Sequence, residues 1–155
     1  MWYARKRVSD HGSPMKLRLL SWNVREANNS SKKKVIKALI RSQMVDLFCL
    51  QETKIQAMSE GVVRSLGTGK FLDWGALDAY GSTRGILICW DKRTLDVLEM
   101  EVGHFSISCR LRNMKDGLVW IFTGVYKSFS REERDCLWDE LRTIRGIWDD
   151  PRCLG

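Results

Sequence analysis

Two apolar runs and the stretch between them set the tightest limit on how this chain folds. KLRLLSW (16–22) reads as a strand, and the NVREANNSSKKK that follows is a polar, Asn- and Ser-rich loop. SKKKVIKALIRSQ then sets Val35, Ile36, Leu39 and Ile40 on one helical face, with Lys32, Lys33, Lys34, Lys37 and Arg41 elsewhere. DLFCLQ is the next strand. Strand, helix and strand within about 35 residues form a βαβ unit, so the two strands are expected to be parallel. The second strand also raises a question of charge. It reads as buried, yet Glu52 closes it, and carboxylates are rarely buried unless paired or bound to a cation.

Further strands are expected at GILICWD, TLDVLEMEV, HFSISCRL and LVWIFTGVY, with SEGVVRSLG as a short helix before them. In HFSISCRL, Phe105, Ile107, Cys109 and Leu111 alternate with Ser106, Ser108 and Arg110, the pattern of a strand with one wet face. NMKDG is a turn, so that strand and the next should form an antiparallel hairpin. Ser130 followed by Glu133 is a capping box. The helix after it carries Leu137, Leu141, Ile144 and Trp148 at helical spacing and stops before Pro151.

Composition narrows the function classes. At 155 residues the chain has one domain's worth of sequence. Lys plus Arg is 26 against 19 Asp plus Glu, a net charge of +7, which suits a polyanionic partner such as nucleic acid and equally a plain solvated surface. No apolar run reaches membrane-span length, and MWYARKRVSDHGSP lacks the apolar core of a secretory signal. Residues 1–14 are expected to be a disordered basic tail, with the ordered domain over 15–155. The five cysteines include no C-x-x-C pair. Buried free thiols in a reducing compartment fit them better than zinc or disulfides, which places the protein inside the cell, in nucleus or cytoplasm.

Ligands of open α/β sheets bind at the carboxyl ends of strands. Here the first strand ends in Trp22-Asn23, the second in Gln51-Glu52-Thr53, and LVWIFTGVY in Tyr126. An amide, a carboxylate and a phenol can therefore share one rim. Glu52 suits a hard cation, since Mg²⁺ sites use one or two carboxylates with water and phosphate. Each residue also has a plainer reading: Glu52 as a solvated loop or helix-start carboxylate, Asn23 as a turn former, Tyr126 as a half-buried strand-end aromatic.

LLSWNVR, DLFCLQETK, GSTRGILICWD and IFTGVY occur in an order and spacing that resembles the endonuclease/exonuclease/phosphatase family. The wording is most similar to plant non-LTR retrotransposon endonuclease domains, then to apurinic endonucleases, and more distantly to DNase I and inositol polyphosphate phosphatases. The resemblance covers about Met15 to Gly155. It implies a DNase I-like four-layer α/β sandwich, with helices outside two packed sheets, and a Mg²⁺- or Mn²⁺-dependent phosphodiester hydrolase. It carries Asn23, Glu52 and Tyr126 into the active site, with Glu52 as the metal ligand, and it favours DNA as the substrate.

The resemblance is incomplete. The family's G-D-x-N motif, a later Asp and the S-D-H motif with its catalytic His do not occur in these 155 residues. Of the two histidines, His11 falls in the expected tail and His104 precedes a strand, where a surface role is expected. Glu26 stands where related domains carry Gly, and Lys127-Ser128 where Gly-Pro is common. The fold expectation is thus a partial sandwich truncated before G-D-x-N. It comes with weak metal binding at Glu52, no activity alone, and self-association through an uncovered sheet face for which Trp90 and Trp120 are candidates. The other reading is a non-catalytic nucleic-acid-binding or interaction module using the basic tail and Lys32–Lys37, and a phosphatase-type relative is a third.

Overall fold

The computed structural model describes residues 2–8, 15–23, 30–53, 61, 63, 72–77, 85–125 and 130–154, with the backbone alone at 2–8, 15, 16, 23, 30–33, 43, 52 and 53. Its elements run β1 (Trp2–Val8), β2 (Met15–Asn23), α1 (Ser30–Gln43), β3 (Leu47–Thr53), β4 (Leu72–Leu77) and β5 (Gly85–Asp91). Then follow β6 (Leu95–Val102), β7 (Ser106–Asn113), β8 (Val119–Val125), α2 (Arg131–Ile147) and β9 (Arg152–Leu154). One sheet has the order β1-β2-β3-β5-β4 and the other β6-β7-β8-β9.

The βαβ expectation holds: β2 and β3 pair in parallel, Leu19 beside Leu47 through Asn23 beside Gln51. Helix α1 makes the crossover. Its exit is a Schellman turn in which Met44 takes a left-handed φ of 49° and Val45 N–H reaches Ile40 C=O at 3.5 Å. Asp46 then locks the return: its carboxylate accepts from Arg18 N–H at 2.9 Å and its own N–H donates to Arg18 C=O at 2.9 Å.

Alternation sorts the strand residues into two cores. Leu17, Leu19, Leu47, Cys49, Ile86 and Ile88 of the first sheet meet Ile107, Cys109, Leu111, Trp120 and Phe122 of the second, all buried. On the outside of the first sheet, Leu20, Phe48, Leu50, Leu87 and Cys89 receive Ile36 and Ile40 of α1. On the outside of the second, Ile121 receives Ile144 and Trp148 around α2. Helix, sheet, sheet and helix give the expected four layers. Strand β5 lies between two of these layers and is buried from Gly85 to Trp90, which is why GILICW is apolar without alternation.

Three expectations need correction. Residues 2–8 are not a disordered tail: Trp2–Val8 pairs antiparallel with Met15–Ser21 along its whole length. An edge strand needs only one partner and tolerates charge on its free side, so Arg5, Lys6 and Arg7 do not forbid it. Residues 9–14 lie outside the described residues. Trp90 and Trp120 are not surface anchors for self-association: they are 5% and 1% exposed, covered because the two sheets close on each other within this chain. Two short strands were not anticipated. Strand β4 pairs with β5, and β9 pairs in parallel with β8 after the α2 crossover. The hairpin of β7 and β8, the capping box at Ser130 and the helix stop before Pro151 stand as read. Of the expected short helix at 59–67, only Gly61 and Val63 are described, both helical, with Val63 buried in the α1-side core.

Candidate active-site rim

The rim forms where β2, β3 and β8 end together. Asn23 closes β2 directly beside Gln51 of β3. Along β3, Leu47, Cys49 and Gln51 point between the sheets while Phe48 and Leu50 point toward α1, so strict alternation would assign the next residue to the helix side. The pairing register shifts across Glu52. Gln51 pairs with Ile86 but Thr53 with Gly85, so two residues of β3 oppose one of β5. Such a bulge is a backbone device that re-aims a side chain at a strand end.

Gln51 ties this end to the other sheet. It is 5% exposed, and its Nε2 donates to Val125 C=O at 3.0 Å, across 74 residues of sequence. Val125 immediately precedes Tyr126. Beside it, Gly124 lets the sheets approach: a Cβ there would stand 2.9 Å from Cys49 Sγ and 3.1 Å from Ile86 Cγ2. The backbones of β3 at Gln51 and of β8 at Gly124 and Val125 are thereby held against each other. Asn23 and Glu52 are placed by their backbone alone, and Tyr126 lies outside the described residues.

A second tie holds the neighbouring turn. Val125 pairs with Ser106, so the β6–β7 turn stands at the same end of the second sheet. Glu140, on α2, accepts from His104 N–H, from Phe105 N–H at 3.1 Å and from Ser106 Oγ at 2.7 Å. Gly103 leaves room for that carboxylate, which a side chain there would displace. His104 itself is exposed, as expected.

Just beneath the rim the core is a poor place for charge. Burial pushes the Cys49 thiol far above its ordinary value; the nearby Cys109 adds to the shift and a hydrogen bond from Ser21 offsets part of it. Burial likewise raises Cys89 and pushes Cys109 up to about 12. Cys49, Cys89 and Cys109 are buried thiols that fill the core rather than act as nucleophiles or ligands, whereas Cys136 is exposed.

The donors expected at the rim are oxygens: the carboxylate of Glu52, the amide of Asn23 and the phenol of Tyr126. That set suits Mg²⁺ or Mn²⁺ more than zinc, and with one carboxylate it suits them weakly. Among the described residues no group of three His, Cys, Asp or Glu side chains could hold a metal. Nor is any helix among them long and apolar enough to cross a membrane. Sequence reasoning missed Gln51 and Glu140. Gln51 carried a readable signal, a polar residue at an inward position when counted by twos from Leu47; Glu140 carried none, since its partners lie 34 to 36 residues away.

Solved structures decide the architecture. An endonuclease/exonuclease/phosphatase family protein from Bacteroides thetaiotaomicron superposes with a TM-score of 0.72 over 92% of this chain and 63% of its own, at 15% identity. The fold is that of the endonuclease/exonuclease/phosphatase proteins. A mannosyl-6-phosphatase from Bacteroides thetaiotaomicron VPI-5482 matches with a TM-score of 0.67 over 89% of this chain and 63% of that one, at 15% identity. TDP2 of D. rerio, complexed with a single-strand DNA product, matches with a TM-score of 0.60 over 89% and 58%, at 16% identity. At such identities the likeness speaks for the fold alone. This chain spans less than two thirds of each of these three structures. No protein-family model matches the sequence, and no curated protein matches it.

Proposed function

We propose that the chain is the N-terminal part of a divalent-metal-dependent phosphodiester hydrolase of the endonuclease/exonuclease/phosphatase type, acting on DNA and derived from a plant retrotransposon-type endonuclease. One observation supports the reading: the Gln51 amide bonded to Val125 C=O ties the end of β3 to the end of β8, beside the end of β2 at Asn23. Glu52 is the residue to hold the cation, and the register shift at its position is of the kind that re-aims a side chain beside a site. An ion held there supplies Lewis-acid polarisation of a phosphate oxygen. Asn23 and Tyr126 orient that phosphate by donating hydrogen bonds. The chain lacks the general acid and base of the reaction, because the Asp, Asn and His of the later motifs do not occur in it. Losing one such group costs about 10²–10⁴-fold, and the absence of several together leaves activity near background.

The test has two arms. Calorimetric titration with MnCl₂ should show weak binding that Glu52→Gln abolishes, and binding unaltered by that change removes the site. In a plasmid-nicking assay with Mg²⁺, the chain should be silent and a chimera extended by the C-terminal half of a solved family member should nick. Nicking by the chain alone that disappears with Glu52→Gln would overturn the assignment of inactivity.

A further inference from the structure

Helix α2 sorts its charges by face. At about 100° per residue, Arg131, Arg134, Trp138, Arg142 and Arg145 fall within an arc of about 80°. Trp138 sits at the middle, four residues from Arg134 and Arg142 and seven from Arg131 and Arg145. All five are exposed, Trp138 by 55%. The acids of the helix are engaged elsewhere or lie off this arc: Glu133 caps the N-terminus and Glu140 holds the β6–β7 turn. Asp139 meets Arg142 at 3.0 Å, but both side chains are about three-quarters exposed, and such a pair is worth little.

A plain solvated face gives no reason for this arrangement. Arginines three apart repel slightly, and a water-facing tryptophan leaves a large apolar ring unburied. Beside the stripe opens a groove of about 500 Å³, between α2 and β9, where Trp138, Arg142 and Arg145 face Arg152, Leu154 and Thr123. Arg152 anchors to Trp148 C=O and so belongs to the wall.

The geometry points to a docking surface for single-stranded nucleic acid on α2, apart from the rim and independent of its chemistry. Unpaired bases stack on Trp138, whose π-face needs no particular base, and the arginines take the flanking phosphates with their planar donor forks. From Arg131 to Arg145 the stripe is about 21 Å long, room for a short run of nucleotides. A duplex keeps its bases stacked inside and offers the tryptophan no face. A second copy of this chain would set arginine stripe against arginine stripe.

Fluorescence anisotropy of a labelled oligothymidylate of about 12 nucleotides tests the assignment on the whole chain. Trp138→Ala should weaken binding about tenfold while circular dichroism stays unchanged, since the ring is not part of the core. Arg142→Gln with Arg145→Gln should weaken it too, and should reduce the slope of log K against log salt by about 1.4, two phosphate contacts at about 0.7 each. Lys34→Gln with Lys37→Gln on α1 should leave it unaltered. Oligothymidylate binding indifferent to the α2 variants overturns the proposal. So does displacement by polyglutamate as effective as by unlabelled oligonucleotide, which would mark a surface for acidic polypeptide.

Discussion

At the scale of single residues, the rim depends on a missing side chain. Gly124 stands where β8 crosses the inner face of β3 and β5. In Gly124→Ala the new methyl meets Cys49 Sγ and Ile86 Cγ2, both on a buried and inflexible layer. Overpacking of this kind costs about 1–3 kcal/mol, to be read as a lower urea midpoint with an unchanged slope. An unshifted midpoint would mean that the sheets have slack where none is seen. The buried thiols make a second residue-scale prediction. Unfolded, they ionise near the ordinary thiol value of 9.0; folded, burial holds Cys49, Cys89 and Cys109 protonated well above it. Their contribution to stability is therefore complete below that value and is lost progressively as pH rises from there towards the folded pKa values, each thiol adding a slope that approaches about 1.4 kcal/mol per pH unit. Urea midpoints measured from about pH 8 to 10 should fall, and fall less in Cys109→Ala. Equal slopes in the two proteins would contradict the assignment of Cys109.

At the scale of elements, legibility followed how much of the folding signal was local. The capping box is the clearest case: Ser130 Oγ accepts from Glu133 N–H at 3.0 Å and the Glu133 carboxylate from Ser130 N–H at 3.3 Å, a reciprocal pair visible in four residues of sequence. Ser130→Ala should cost about 1 kcal/mol in urea denaturation, because one helix-end donor loses its acceptor. If it costs nothing, the packing of Ile144 and Trp148 alone fixes α2. Strands β5 to β8 were readable for the same reason, each carrying its own apolar run or alternation. Strand β4 was not. LDWGAL contains Asp73, Gly75 and Ala76, residues of low strand propensity, and is a strand only because β5 offers it a complete ladder. Strand β9 is three residues long and owes its pairing to a crossover whose length no local pattern states. Strand β1 was misread because its composition resembles a solvated tail, whereas the free edge of β2 supplied hydrogen bonds that composition cannot reveal.

At the scale of the molecule, the motifs located the rim but not what fastens it. Asn23 and Glu52 were legible as strand ends. The inter-sheet bond from Gln51, the close approach at Gly124 and the Glu140 tie are long-range facts, each joining residues from 34 to 75 positions apart. The self-association expected of a half-built sandwich assumed bare inner sheet faces, and the two sheets cover each other instead.

The division between those sheets has a meaning in time. All five strands of the first sheet are finished by Asp91, and every strand of the second begins after it. The chain passes from one to the other once, through the Asp91–Thr94 turn that Arg93 braces against the Asp91 carboxylate at 2.8 Å. On the ribosome, Leu17, Leu19, Leu47, Cys49, Ile86 and Ile88 are therefore all made before Phe122, the last buried residue of the layer that shields them, which follows Ile88 by 34 residues. At about 5–20 residues per second the first sheet waits about 2–7 s with its inner face bare. Through that interval the nascent chain presents a sticky apolar plane to its surroundings, and a holdase chaperone that binds such surfaces has its target in the first ninety-odd residues.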